Sequence, residues 1–301
     1  MEQKSSITAL MSAFARAYHT QNEENPVFDD YLAKDLLSDD EYAAAAKYVL
    51  DGAQFFEPDL TISEENTQDV MRYLVNVHLA PSPLCRAAYS EKILANAIST
   101  GTTQYVILGA GLDTFAWRNK NFSDKYAVFE LDHPLTQADK LSRVKRAGWQ
   151  MPTKLKFVPL NFNTDSLSEE LSQAGFSKTK KAFFSWLGVT YYLTKEEIEK
   201  TVAEFAALCA YGSTLVFDYP DEGFFTAPEK RVQNNIQMAQ AAGEPMRTNF
   251  SYGELEKLLE RNGFLIYELL MPRDITREII APTGAEWTAF EHVNYCLAVK
   301  R

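Results

Sequence analysis

The sequence predicts an α/β domain built on a doubly wound, mostly parallel sheet, and three observations carry that prediction. From Tyr105 onward, short apolar runs alternate with segments of helical pattern. Tyr105-Val106-Ile107-Leu108 is wholly apolar, as a strand buried on both faces must be, and it runs straight into Gly109-Ala110-Gly111. A glycine turn at a strand end lets backbone approach a ligand closely, because no Cβ intervenes. A second buried run, Ala127-Val128-Phe129, ends in Glu130-Leu131-Asp132, which puts carboxylates 21 and 23 residues beyond Gly109. That is the spacing at which a nucleotide-type fold offers an acid to ribose hydroxyls. The pattern predicts an adenosine-containing cofactor.

Taken in order, residues 1–98 are mostly helical in pattern, with an alanine-rich stretch from Tyr42 to Val49 and breaks at Asn25-Pro26 and Pro81-Ser82-Pro83. The third strand is expected over Phe157 to Leu160, and the fourth to end at Leu187-Gly188. Thr194 with Glu197 forms a capping box, after which Ile198, Val202, Phe205 and Cys209 recur on one helical face until Gly212. The strand Thr214 to Phe217 follows. Residues 221–250 are polar, contain Pro228 and Gly243-Glu244-Pro245, and interrupt the alternation, as lids and binding loops do. Ser251 with Glu254 repeats the capping box, and the helix stops at Gly263. The expected organisation is one domain over 1–301: an N-terminal helical cap (1–98), a core (99–220 and 251–301) and a lid insertion (221–250).

Bulk properties narrow the function. Of 301 residues, 46% are hydrophobic, enough for a large core. A net charge of −11 argues against a nucleic-acid partner, whose phosphates require Lys and Arg. Cys85, Cys209 and Cys296 are far apart, odd in number and without metal spacing, so they read as core residues of a reducing cytoplasm. No run approaches the length that spans a membrane, and residues 1–20 lack a signal-peptide pattern. No metal site or nucleophile elbow is expected.

The cofactor's identity turns on two residues. A dinucleotide fingerprint wants a third small residue five positions after the first glycine, where this chain has Thr114, preceded by Asp113. A carboxylate at Asp113 would repel a pyrophosphate over the turn but suits a cationic sulfonium or an amino group. The local charge therefore favours S-adenosyl-L-methionine over NAD.

The string LGAGLDTFAWR followed by FELDHPLTQADK resembles the leucine carboxyl methyltransferase family, which includes protein-phosphatase carboxyl methyltransferases and bacterial polyketide-pathway O-methyltransferases. FVPLNF, SWLGVTYYLTKEE, GSTLVFDY and the segment from SYGELEKLLERNGF onward are similar to later strands and helices of that family in the same order, so the resemblance spans nearly the whole chain. It implies a Rossmann-like class I methyltransferase fold with a seven-stranded, mostly parallel sheet. It also implies S-adenosyl-L-methionine as cofactor and O-methylation of a carboxylate or acidic hydroxyl on a small molecule. Motif on motif, the main cofactor acid falls on Asp132, the adenine-contacting position on Asn161 and the carboxylate-binding arginine on Arg86. Gly109, Ala110, Gly111, Asp113, Glu130, Phe162 and Leu187 complete the expected cofactor rim. Two positions depart from the family. Asn161 stands where Asp is usual, and Leu187 where Glu is usual, which removes an expected contact to the cofactor's amino group; Asp113 is the expected compensation.

Plainer roles stand beside these. Glu130 and Asp132 alone would read as solvated strand-end acids, Arg86 and Arg16 as surface-helix cations, and Tyr191 or Tyr192 as packing residues. Phe115 and Trp117 read as core or adenine-side hydrophobes. His133 lies nearest the site, while His19, His78 and His292 show no partner pattern. No catalytic base is assigned. The acceptor pocket is expected from the N-terminal helices and from Phe224, Phe225, Met238 and Met246. Two other classes remain open: an NAD(P)-dependent oxidoreductase, and a non-catalytic relative that keeps the fold as a binding or regulatory module. The oligomeric state is not legible in the sequence.

Overall fold

Seven strands form one sheet: β1 (Gln104–Leu108), β2 (Ala127–Asp132), β3 (Leu155–Pro159), β4 (Ala182–Trp186), β5 (Thr214–Pro220), β6 (Phe264–Leu270) and β7 (Val293–Lys300). Their spatial order is β3-β2-β1-β4-β5-β7-β6 in this computed structural model, which describes residues 7–162 and 164–301. β1 to β5 run parallel, and β7 inserts antiparallel between β5 and β6. The sheet is mostly parallel, as the apolar runs predict. Its order reverses between β1 and β4, and the crevice outside such a switch point is where open α/β sheets bind ligands. Leu108 pairs with Leu131 on one side and Trp186 on the other, so the glycine turn, Asp132 and the loop after β4 leave the sheet at one level.

Each face of the sheet carries its own core, because alternate side chains point to opposite faces. Val106, Leu108, Phe129, Leu131, Phe184 and Trp186 pack against Ile198, Val202 and Phe205 of the helix Lys195–Leu208 and against Leu255, Leu258 and Leu259 of the helix Tyr252–Arg261. Tyr105, Ile107, Val128, Phe183 and Val216 pack on the other face against Cys85, Tyr89 and Ile93 of the helix Pro81–Ser99. Both expected capping boxes are present, with Thr194 and Ser251 each accepting from the backbone N–H three residues on. A third, Ser38 with Glu41, starts the alanine-rich helix Asp39–Asp51. Strand bounds shift slightly: β3 begins at Leu155, and β4 ends at Trp186, leaving Leu187-Gly188 in the loop beyond it.

The N-terminal helices build a third core from Phe14, Leu36, Val49, Phe56, Leu74 and Leu84, and Leu112 of the glycine loop is inserted into it. The loop after β1 is thus shaped by residues outside the sheet. The segment 221–250 is not a plain polar loop. It contains the helix Lys230–Ala241, whose Arg231 donates to the Val77 carbonyl (2.9 Å) and whose Asn234 donates to the Phe55 carbonyl (3.1 Å). All three cysteines are free thiols.

Phe205 is fully buried, with its ring 5.1 Å from Phe184 and 5.6 Å from Trp186. Phe205→Ala should therefore cost about 3–5 kcal/mol of stability, read as a lowered midpoint in urea; a loss below about 1 kcal/mol would show that this face is not close-packed.

Candidate functional site

Outside the ends of β1, β2 and β4 lies a cavity of about 500 Å³. Gly109, Ala110, Gly111 and Asp113 line it from the first loop, Asp132 from β2, Asn161 and Phe162 from the loop after β3, Leu187 from the loop after β4, and Arg86 from the helix Pro81–Ser99. Nine of the ten expected rim residues are thus brought together. Gly109 has φ +66° and a Cβ there would sit 2.5 Å from Val189 Cγ2, so only glycine lets the turn close. The Asp132 carboxylate accepts from Gly111 N (2.6 Å) and His133 N (2.7 Å), which ties β2 to the turn. Burial raises its pKa, while these two N–H groups oppose the rise.

The tenth residue, Glu130, is displaced. It sits one pleat deeper in β2, fully buried, and its carboxylate pairs with Lys140 of the helix Pro134–Arg146 rather than lining the cavity. Burial pushes its pKa up to about 7, against the pull of Lys140. Asp113 lines the cavity, but its carboxylate also caps the short helix Phe115–Arg118 by accepting from Phe115 N (2.6 Å). His133 caps the next helix through Nδ1, 3.3 Å from Leu135 N. Neither Phe115 nor Trp117 reaches the cavity; both pack in the core.

An ionic knot that the sequence does not reveal lies behind the loop. Asp30 is buried (1% exposed) and receives Arg16 Nε (2.9 Å), Arg118 Nε (3.3 Å) and Thr114 Oγ1 (2.5 Å). Arg16 also donates to the Leu112 carbonyl (2.7 Å), and Arg118 forms a fork with Glu91. Three of the residues in LGAGLDTFAWR therefore hold the N-terminal helices to the glycine loop. Arg118 ends the LGAGLDTFAWR string and Arg16 lies on the first helix, but nothing in the sequence around Asp30 marks it as their partner.

A second unforeseen acid organises the far side. Asp218 in β5 is fully buried; one oxygen accepts from Gly188 N (2.7 Å), and the other faces Arg86 (3.4 Å) and the Tyr191 hydroxyl. Burial raises its pKa and Arg86 opposes that. Gly188 has φ +71°, and a Cβ there would lie 2.3 Å from the Arg86 guanidinium, so the glycine makes room for the arginine. The signal was present: a lone acid inside an apolar strand needs a partner.

A smaller cavity of about 180 Å³ adjoins the first and shares Thr8, Ser12, Pro83, Arg86 and Tyr192 with it. Phe224, Met238 and Met246 line it as expected, together with Tyr191 and His78. Phe225 does not: it points outward, 41% exposed. The histidines have partners the sequence did not reveal: His19 with Asn76 (3.1 Å), His292 with Asp221 (2.8 Å) and His78 near Glu57 (3.3 Å). Among the described residues, no cluster of His, Cys, Asp or Glu is arranged to hold a metal ion, and no helix is long and apolar enough to cross a membrane.

Two outcomes follow from this geometry. Gly109→Ala should cost about 1–3 kcal/mol in thermal or urea unfolding, since the added methyl meets both a strained φ and Val189; wild-type stability would contradict the packing described. For Glu130 the folded protein keeps the proton up to about pH 7, whereas the unfolded chain releases it near the ordinary value of 4.5. The unfolded state thus binds fewer protons across that window, and stability falls as pH rises through it. Glu130→Gln should flatten that fall, measured as urea midpoints from pH 4.5 to pH 7; an unchanged slope would locate the titration elsewhere.

With this geometry in place, similarity to known proteins is specific. The family model for leucine carboxyl methyltransferase matches residues 9–206. YktD of Bacillus subtilis (strain 168), provisionally named an S-adenosyl-L-methionine-dependent methyltransferase, is 42% identical over 301 residues, covering 99% of each chain. A similarly named protein of Mycolicibacterium paratuberculosis is 30% identical over 231 residues, covering 77% of this chain and 70% of its own. Among solved structures, a DUF574 family protein from Streptomyces avermitilis shares the fold with TM-score 0.61 at 15% identity, covering 96% of this chain and 97% of its own. The cavity at the β1/β4 switch point, the glycine turn and Asp132 thus sit in a chain that belongs to the leucine carboxyl methyltransferase family.

Proposed function

We propose that this protein uses S-adenosyl-L-methionine to methylate a carboxylate or acidic hydroxyl of a small molecule, with the donor in the larger cavity and the acceptor in the smaller one. The observation that carries this reading is the pair of adjoining cavities that meet at Arg86 and Tyr192, one lined by the glycine turn and Asp132, the other mostly by apolar and aromatic side chains.

The residues present suit the donor. Asp132 uses one lone pair per oxygen on backbone N–H groups, which leaves acceptor capacity for ribose hydroxyls. Asn161 and Phe162 stand at the adenine end. The Arg86 guanidinium, steadied by Asp218 and seated over Gly188, is placed to hold the amino acid carboxylate. Asp113 remains on the rim and supplies the negative charge that Leu187 lacks. When bound, the cofactor supplies a methyl group on a sulfonium, already activated for in-line displacement.

The protein's task is then alignment and exclusion of water, and positioning of that kind is worth about 7–11 kcal/mol of barrier. The N-terminal helices and the segment 221–250 serve as cap and lid: Thr8 pairs with Glu244, and Gly243, Glu244 and Pro245 line the larger cavity. An acid or acidic hydroxyl is ionised at neutral pH, so no proton need be removed by a side chain. The partner is a small-molecule acceptor rather than nucleic acid, in keeping with the net charge of −11.

Thermal unfolding with S-adenosylhomocysteine at about a hundredfold excess over its dissociation constant should show about 2.7 kcal/mol of added stability, and none with NAD or NADP. Asp132→Ala should weaken that binding at least about tenfold by calorimetry, a loss of about 1.4 kcal/mol. No shift with S-adenosylhomocysteine would favour a non-catalytic module, and a shift with NAD or NADP alone an oxidoreductase.

A further inference from the structure

The smaller cavity has an apolar body that includes Phe224, Met238 and Met246, with polar side chains such as Ser82, Arg86 and Asn235 elsewhere in its lining. His78 lines it, is 6% exposed, and sits in a π-helical turn, Val75–Leu79, that joins the helices Thr67–Leu74 and Pro81–Ser99. Such turns frequently occur at functional sites. The ring is held by neighbours on other elements: Phe56 stacks at 4.8 Å, and the edge of Tyr73 approaches at 6.3 Å. Nε2 lies 3.3 Å from Glu57 Oε1, which also accepts from the Tyr73 hydroxyl (3.1 Å). Both ring nitrogens are buried and neither has a hydrogen bond of good geometry among the described residues; Nε2 has the Glu57 carboxylate as its polar neighbour, and Nδ1 has none.

A buried polar nitrogen left unpaired costs stability, and most such atoms in native proteins have a partner. The carboxylate beside Nε2 favours the tautomer with the proton on that nitrogen, which leaves Nδ1 as a bare acceptor. The charged groups around the ring are Glu57, Arg231 and Glu291, with Arg231 taken up by Glu291 at 2.8 Å. Burial lowers the pKa of His78 and keeps the ring neutral. A ligand group meeting it must therefore donate a hydrogen bond. A carboxylate there would meet a bare acceptor and would face the Glu57 carboxylate.

The position along the helix fixes where this group lies relative to the transferred methyl. His78, Ser82 and Arg86 follow at spacings of four on one helical face, and all three line the smaller cavity. His78 and Arg86 are then about 12 Å apart along the helix axis. We infer that the methyl acceptor is a two-ended molecule, with its methylated group near Arg86, an apolar body between Phe224, Met238 and Met246, and a hydroxyl or N–H at the far end that donates to His78 Nδ1. This rests on the methyl-transfer reading above and assigns His78 as a specificity residue.

The test uses the full chain saturated with S-adenosylhomocysteine and two probes, 3-(4-hydroxyphenyl)propanoate and 3-phenylpropanoate, which differ only in the distal hydroxyl. Calorimetry should show the hydroxylated probe binding about tenfold tighter to wild type, the effect expected of one buried acceptor satisfied or left bare. His78→Phe should erase that ratio while leaving the affinity for 3-phenylpropanoate within about twofold. Imidazole ¹⁵N spectra of wild type should show a bare Nδ1 whose signal moves on adding the hydroxylated probe, a readout independent of whether the variant folds. An equal affinity for both probes, failure of either to bind, a ratio that survives in His78→Phe, or a proton resident on Nδ1 would each overturn the assignment. Failure to bind S-adenosylhomocysteine at all would instead bring down the underlying reading.

Discussion

The buried carboxylate of Asp30 is the interaction on which the rest of this site depends. It lies outside the sheet, yet it gathers Arg16 from the first helix and Arg118 and Thr114 from the segment after the glycine turn. Removing one partner from such a buried charged cluster leaves the others desolvated and uncompensated, at a cost of about 3–5 kcal/mol. The same cluster aims Arg16 at the Leu112 carbonyl, so the loop that leaves β1 is fixed from behind by charge and from the side by Leu112 in the N-terminal core. A glycine turn on its own is permissive; this one is made specific by what surrounds it.

Asp218 plays the matching role across the crevice. It orients Arg86, holds the Gly188 backbone and contacts Tyr191, so one acid in β5 places the residues that border both cavities. The two acids divide the labour. Asp30 shapes the wall of the larger cavity, and Asp218 shapes its junction with the smaller one. Membership of the leucine carboxyl methyltransferase family accords with this arrangement, in which the sheet supplies a common rim while helical segments outside it shape the neighbouring cavity.

Much of this was legible in the chain because it follows from local rules. Apolar runs on a period set by burial gave the strands, and Thr194 and Ser251 gave helix starts through capping chemistry. The glycine turn with Asp132 gave the rim. Glu130 was misplaced for a simple reason: it and Asp132 share a face of β2, and spacing alone does not tell which of two like residues on one face reaches the strand end and which is swallowed by the core. Asp30 and Asp218 are not legible as cluster centres because key partners come from separate elements far along the chain, 84 residues from Asp30 to Thr114 and 132 from Arg86 to Asp218. Phe225 was misassigned beside Phe224 because neighbouring positions in a 3-10 turn point about 120° apart, so one is buried while the next faces outward.

The dependence of the glycine loop on Asp30 is tested most directly by hydrogen–deuterium exchange of residues 109–115 in Arg16→Met, a change that removes the charge from the Asp30 cluster and the donor from the Leu112 carbonyl while keeping an apolar stem. Faster exchange is expected in the glycine loop and the N-terminal helices alone, with β4 and β5 still protected. Unchanged protection of residues 109–115 would show that the turn holds its shape without the Asp30 cluster.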